Sequence, residues 1–203
     1  MNNHYVKKWP FIVGTLFVLA ALSLFLYNTY ESKAASEQAE AALQYIHEVV
    51  PDQSTDGDGN GQAVPDYILN PNMEMPTVEI DGNRYIGTLY FPSLDVELPV
   101  MSSWSYPKLR KAPCLFTGSI YSGDAVVAAH NYSSHFGHLF NLYPGDLVYF
   151  TDVDGNVFTY EIVLQEILEP TAIEEMTSSG FDLSLFTCTY GGRTRFTVRC
   201  DLI

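Results

Sequence analysis

Apolar and polar positions change rhythm along this chain. From Trp9 to Tyr30 there is no charged residue, and Phe11 to Leu26 is almost wholly apolar, a run long enough to cross a bilayer as a helix. From Ala35 to Val50 the residues Ala39, Ala42, Leu43, Ile46 and Val50 recur at three- and four-residue spacing among good helix formers. That period predicts an exposed helix continuing the first, and Pro51 ends it. Asp52 to Pro65 is Asp, Gly, Ser and Asn with almost nothing apolar and reads as a flexible spacer. Tyr67 to Pro76 carries Pro and Asn and reads as irregular.

From Thr77 onward the pattern becomes short alternating runs. The predicted strands are Thr77–Ile80, Tyr85–Phe91, Glu97–Val100, Cys114–Thr117, Ala125–Ala129, Leu147–Thr151, Val157–Leu168, Ser184–Thr189 and Thr194–Cys200. Turn signals such as Asp81-Gly82-Asn83, Pro144-Gly145-Asp146 and Gly191-Gly192 separate them. Weak helical stretches fall near Tyr106–Lys111 and Ile173–Met176. Many short, evenly spaced strands argue for an all-β, closed barrel or sandwich, here a barrel of about 125 residues on a membrane stalk, an ordinary size for one domain.

The organisation expected is therefore a cytoplasmic tail over 1–8, a transmembrane anchor over 9–30, an extracellular helical stalk and linker over 31–75, and a β-barrel over 76–203. Lys7 and Lys8 precede the apolar run and Glu31 follows it, so the positive-inside rule places the N-terminus in the cytoplasm and the rest outside the cell. A cleaved signal peptide is disfavoured, since its apolar region would be shorter and no clean small-residue site follows directly. The net charge of −14 excludes a general nucleic-acid footprint, which needs a basic face. Against that background the late cations Lys108, Arg110, Lys111, Arg193, Arg195 and Arg199 stand out.

Two apolar runs end in reactive side chains. Val126-Val127-Ala128-Ala129 leads to His130-Asn131, and Ser184-Leu185-Phe186-Thr187 leads to Cys188, with Arg195 seven residues later. A thiol, an imidazole and a guanidinium are the parts required for acyl transfer by a cysteine nucleophile. Cations near Cys188 would favour its thiolate. A buried, inert thiol is the plainer reading of a lone Cys, a packed core residue that of a lone His, and a solvated face that of arginines. Of the three cysteines, Cys114 and Cys200 are candidates for a disulfide that leaves Cys188 over. His130, His135 and His138 have metal-ligand spacing only on a helix, and their stretch reads as a loop with no carboxylate before Asp146. Asp56-Gly57-Asp58-Gly59-Asn60-Gly61 matches half a calcium loop, but Tyr67 stands where a bidentate Glu is needed. It reads as linker, and Asp152-Val153-Asp154-Gly155-Asn156 as a hairpin turn.

Taken together these residues resemble the sortase family, the membrane-anchored cysteine transpeptidases of Gram-positive bacteria. The family's Thr-Leu-x-Thr-Cys appears as Ser184-Leu185-Phe186-Thr187-Cys188, its Gly-His strand end as Ala129-His130, and its arginine at the start of the last strand as Arg195, with Arg193 as the rival. The resemblance covers about Met75 to Ile203 and the N-terminal anchor. It implies the sortase β-barrel of about eight strands and a thioester mechanism without metal or organic cofactor. Cys188 would be the nucleophile, His130 the acid and Arg195 the oxyanion or substrate holder, with support from Thr187, Asn131 and Arg193. The implied substrate is a secreted protein with an LPXTG-like sorting signal, joined to an amine on a cell-wall precursor or a pilin.

Asn131 after the His resembles the class B pattern, yet only about twenty residues separate Leu164 from Ser184, too few for the long helix of class B. No Asp-Pro-aromatic lid of the pilin-polymerising kind precedes Thr77. Two other readings are a cysteine endopeptidase that hydrolyses the same acyl-enzyme and a non-catalytic, membrane-tethered binding module.

Overall fold

A computed structural model describes residues 4–50 and 64–203. Helix α1 runs without a break over His4–Val49. Its residues Phe11, Phe17, Leu22 and Leu26 are exposed, and it is the one helix among the described residues long and apolar enough to cross a membrane. At 1.5 Å per residue, residues 9–30 extend about 33 Å, against about 30 Å of hydrocarbon.

The second half of α1 departs from the expected exposed stalk. Ala35, Ala39, Ala42 and Ile46 are all buried, with Ala42 and Ile46 packing on Tyr85, Met101, Ala112 and Cys114. The three- and four-residue spacing of these residues lines them up as one apolar stripe on the helix, and small alanines let it approach the barrel closely. His47 adds a 3.0 Å contact from Nε2 to Glu97 Oε1. The stretch expected to be irregular holds a one-turn helix, α2 (Asp66–Leu69), whose Tyr67 stacks on Tyr121 at 4.7 Å.

The strands are β1 (Val78–Ile80), β2 (Asn83–Phe91), β3 (Val96–Met101), β4 (Cys114–Thr117), β5 (Ala125–Ala128), β6 (Leu147–Asp152), β7 (Val157–Leu168), β8 (Leu183–Cys188) and β9 (Arg195–Leu202). Short helices α3 (Tyr106–Leu109) and α4 (Ile173–Thr177) lie between them, and 3-10 turns occupy Pro92–Leu94 and Phe136–Asn141. The sheet order is β1-β2-β3-β4-β5-β8-β9-β7-β6, and β2 pairs with β6. β2 through β9 therefore form a closed eight-stranded barrel, with β1 as an added edge. Closure runs through Gly87, which has φ +151 and pairs with Asp152. A Cβ at Gly87 would sit 2.0 Å from the Thr151 carbonyl, so only glycine lets β2 bend against β6 there.

Alternate residues fill the interior: Leu89, Val100, Val127, Phe150, Ile162, Leu185 and Val198 are fully buried in one cluster. Asp152 terminates β6 as a turn residue. Its carboxylate accepts from the Asp154 and Asn156 amides at 2.9 and 2.8 Å and from the Tyr121 hydroxyl at 2.7 Å. The Asp56 segment lies outside the described residues. Cys114 and Cys200 are free thiols rather than a disulfide; each is buried in a different apolar cluster. Burial pushes the Cys114 thiol up to about 12 and the Cys200 thiol higher still.

Candidate active site

The site is assembled by register. β5 and β8 are parallel neighbours with Ala128 opposite Phe186, so both strands end on the same side of the barrel. The pairing extends one step further, with the Ala129 amide donating to the Phe186 carbonyl at 3.1 Å. The Thr187 hydroxyl donates to the Ala129 carbonyl at 2.8 Å. The next residues are His130 and Cys188. On the other flank β8 is antiparallel to β9, with Cys188 directly opposite Arg195. Adjacent strands lie about 4.8 Å apart and in-register residues face the same way, so three reactive side chains emerge together within about 10 Å.

All three line one cleft of about 180 Å³, together with Trp104, Phe116, Phe186, Ile173 and Met176. His130, Cys188 and Arg195 are half-buried, accessible to a substrate yet backed by protein. Burial, aided by the Arg110 guanidinium, holds His130 below the ordinary histidine range, and the Glu31 carboxylate opposes that shift. Arg195 is held by its own hairpin: its Nη1 donates to the Gly192 and Thr194 carbonyls, each at 3.2 Å. The hairpin is closed by Gly191 and Gly192 at φ +81 and +70 and by a 2.8 Å hydroxyl contact between Thr189 and Thr194.

The arginines separate into three roles. Arg193, the rival of Arg195, sits exposed in the turn before β9, which begins at Arg195. Arg195 reaches the cleft. Arg199 is buried, with 1% of its surface exposed, and it ion-pairs with Glu166 at 2.7 Å. Thr187 is also buried and spends its hydroxyl on the strand bearing His130. Asn131 is half-buried in the loop after His130. His135 is buried beside Tyr132, and His138 lies in the 3-10 turn. No cluster of three or more metal-ligating side chains occurs among the described residues.

Sequence reasoning missed the cleft's aromatic and apolar wall. Trp104, Phe116 and Phe186 lie in different runs, and nothing in their spacing joins them before the barrel closes; Trp104 packs on Phe116 at 5.3 Å and Phe116 on Phe186 at 5.5 Å. Glu169, Pro170 and Ala172 line the cleft from the loop ahead of α4. Arg199 anchors that wall by donating to the Glu175 carbonyl at 2.7 Å and the Met176 carbonyl at 3.1 Å.

Comparison with known proteins bears on the family and the fold. The family profile described as Sortase domain matches residues 89–203. Sortase A of Bacillus anthracis is 25% identical over 186 residues, covering 87% of this chain and 85% of its own. The structure of sortase C1 from Streptococcus suis is similar at 28% identity and a TM-score of 0.51, over 59% of this chain and 73% of that one. Clostridium perfringens sortase C, solved with the C-terminal cell wall sorting motif, superimposes with a TM-score of 0.58 at 20% identity, over 82% of this chain and 98% of its own. With the profile spanning more than half of the sequence, over the eight-stranded barrel, this chain belongs to the sortase family.

Proposed function

We propose that the chain is a membrane-anchored cysteine transpeptidase that cuts an LPXTG-like sorting signal of secreted proteins and joins it to an amine on a cell-wall precursor or pilin. The observation that carries this reading is the strand register that sets His130, Cys188 and Arg195 side by side along one apolar cleft. Cys188 as thiolate attacks the carbonyl carbon of the scissile peptide bond. Arg195 supports the negative charge that develops on the carbonyl oxygen. His130 as imidazolium gives its proton to the departing nitrogen as the C–N bond breaks, leaving a thioester on Cys188. The acceptor amine then attacks the thioester, surrenders a proton to His130 and releases the Cys188 thiolate.

The wall of Trp104, Phe116, Phe186, Ile173 and Met176 suits the apolar residues that precede the cut, because it buries them without leaving polar partners unpaired. Lys7 and Lys8 before the apolar half of α1 support a cytoplasmic N-terminus and a barrel outside, by the positive-inside rule. Anchorage keeps the cleft near the surface where secreted substrates and lipid-linked acceptors are found.

Incubating the full chain in detergent micelles with a library of sorting-signal peptides, with and without amine acceptors, tests the reading. Mass spectrometry is expected to find an acyl group on Cys188 and an amine-linked product. A Cys188→Ala variant that still transfers peptide would end the enzyme reading. Hydrolysed product alone at every acceptor concentration would favour an endopeptidase.

A further inference from the structure

The loop that carries His130 is gripped by the anchor helix. The Tyr132 ring stacks on the His130 ring at 4.8 Å with 28° between planes. Its hydroxyl donates to Glu31 Oε2 at 3.2 Å, and the other oxygen of Glu31 accepts from the Tyr27 hydroxyl at 2.6 Å. Two further contacts join the same turn of α1 to the same loop. The Ser134 hydroxyl donates to the Ser32 carbonyl at 3.1 Å, and the Ser32 and Ser133 hydroxyls meet at 3.4 Å. The loop backbone is braced beneath by the Phe136 amide on the His130 carbonyl at 3.1 Å and the Gly137 amide on the Tyr132 carbonyl at 2.9 Å. Outside, the Tyr132 ring is steered by α1.

We infer that Glu31, acting through Tyr132, is a positioning residue for His130, so that the membrane-proximal turn of the anchor helix forms part of the active site and is not merely a tether. The inference rests on the reading of His130 as the proton donor. A stacked ring restricts rotation of the imidazole, and the Tyr132–Glu31 bond fixes that ring. Misplacing a catalytic group by about 1 Å can cost up to about a hundredfold in rate, so a fixed imidazole matters more than the modest charge effect of an exposed carboxylate. The groups that face His130 are Glu31 from α1, Arg110 after α3, Tyr132 and His135 from its own loop, and Cys188, Arg195 and Glu169 across the cleft. Among them Glu31 favours the imidazolium, and Arg110 and burial disfavour it.

The test uses the full chain in lipid nanodiscs with the best-cleaved peptide of the library and Glu31→Gln, Glu31→Ala and Tyr132→Phe variants. Lys33→Ala serves as the control, since Lys33 lies on the same helix in an exposed pair with Glu37. Glu31→Ala and Tyr132→Phe are each expected to lower kcat about tenfold with KM within about twofold. The double variant should be no worse than either single, because both remove one linkage. Glu31→Gln keeps an acceptor oxygen for Tyr132 and should recover most of the loss. The His130 ring resonance, assigned by its disappearance in His130→Ala, should titrate lower in both Glu31 variants, because the Glu31 carboxylate favours the imidazolium.

Wild-type kcat in Glu31→Ala and Tyr132→Phe, with a wild-type His130 titration in Glu31→Ala, would overturn the inference, as would an equal loss in Lys33→Ala. If the unmodified protein transfers no peptide at all, the proposed function fails instead. The ring titration, which needs no substrate, then still decides whether α1 sets the state of His130.

Discussion

Replacing Arg199 with Met would test whether the buried arginine, rather than the apolar wall itself, holds the cleft in shape. Its Nε donates to Glu166 Oε1 at 2.7 Å. Its Nη1 donates to the Met176 carbonyl at 3.1 Å, the Ser179 hydroxyl at 3.1 Å and the Ser184 hydroxyl at 2.7 Å, and its Nη2 reaches the Glu175 carbonyl at 2.7 Å. Removing one partner of a buried pair costs about 3–5 kcal/mol, chiefly because a charge is left stranded. Glu166 retains 31% side-chain exposure, so its stranded carboxylate can hydrate and that part is small. Each buried acceptor left without a donor adds about 1–3 kcal/mol, partly offset by the apolar contacts of Met. The expected loss is therefore about 3 kcal/mol, a large share of the 5–15 kcal/mol typical of a domain.

Urea unfolding of the full chain in micelles, followed by near-ultraviolet circular dichroism, measures that loss. The carbonyls of Glu175 and Met176 would be released, so α4 should loosen and KM for the sorting peptide should rise more than kcat falls. Arg199→Lys keeps a charge but not the planar fork and should fall between wild type and Arg199→Met. A loss under about 1 kcal/mol with unchanged KM would refute the reasoning, since it would mean that these bonds exchange evenly with water.

Arg195→Ala should cut transfer by about a hundredfold or more, whereas Arg193→Ala, in the exposed turn, should stay within about twofold; the reverse order in peptide-cleavage kinetics would contradict the pairing of Cys188 with Arg195. His135 is buried, and among the described residues neither ring nitrogen has a partner within hydrogen-bond geometry. Burial pushes it down to about 4, with the Lys111 backbone opposing and His130 adding to the effect. Below the unfolded value near 6.5 the unfolded chain binds the extra proton and the folded one does not, so stability present at neutral pH should fall by roughly 3 kcal/mol as pH drops from about 6.5 to 4. His135→Phe should flatten that fall in urea titrations at several pH values, and an unchanged slope would assign it to other groups. Thr187→Val removes the bond to the Ala129 carbonyl and should cost about 1–2 kcal/mol, with kcat lowered because His130 follows Ala129 directly; wild-type kinetics would show that the backbone ladder alone positions His130.

Period and punctuation in the sequence determined a good deal. The bounds of β4 and β7 follow from alternation between Gly, Pro and Asp turns, and the apolar run of α1 follows from its length alone, because these depend on neighbours a few residues away. His130 and Cys188 stood out as polar residues after apolar runs, and Arg195 as a cation at the start of the last one. Only the tertiary structure decided how β5, β8 and β9 pair, and hence that Arg195 stands opposite Cys188 while Arg199 is consumed beneath α4. It alone assembled Trp104, Phe116 and Phe186 into a wall, and laid the alanine stripe of α1 on the barrel with Glu31 beside the loop of His130. Apart from the short hairpin that sets Arg195 opposite Cys188, those outcomes depend on contacts between residues about ten to a hundred positions apart, which local spacing does not encode and barrel closure does.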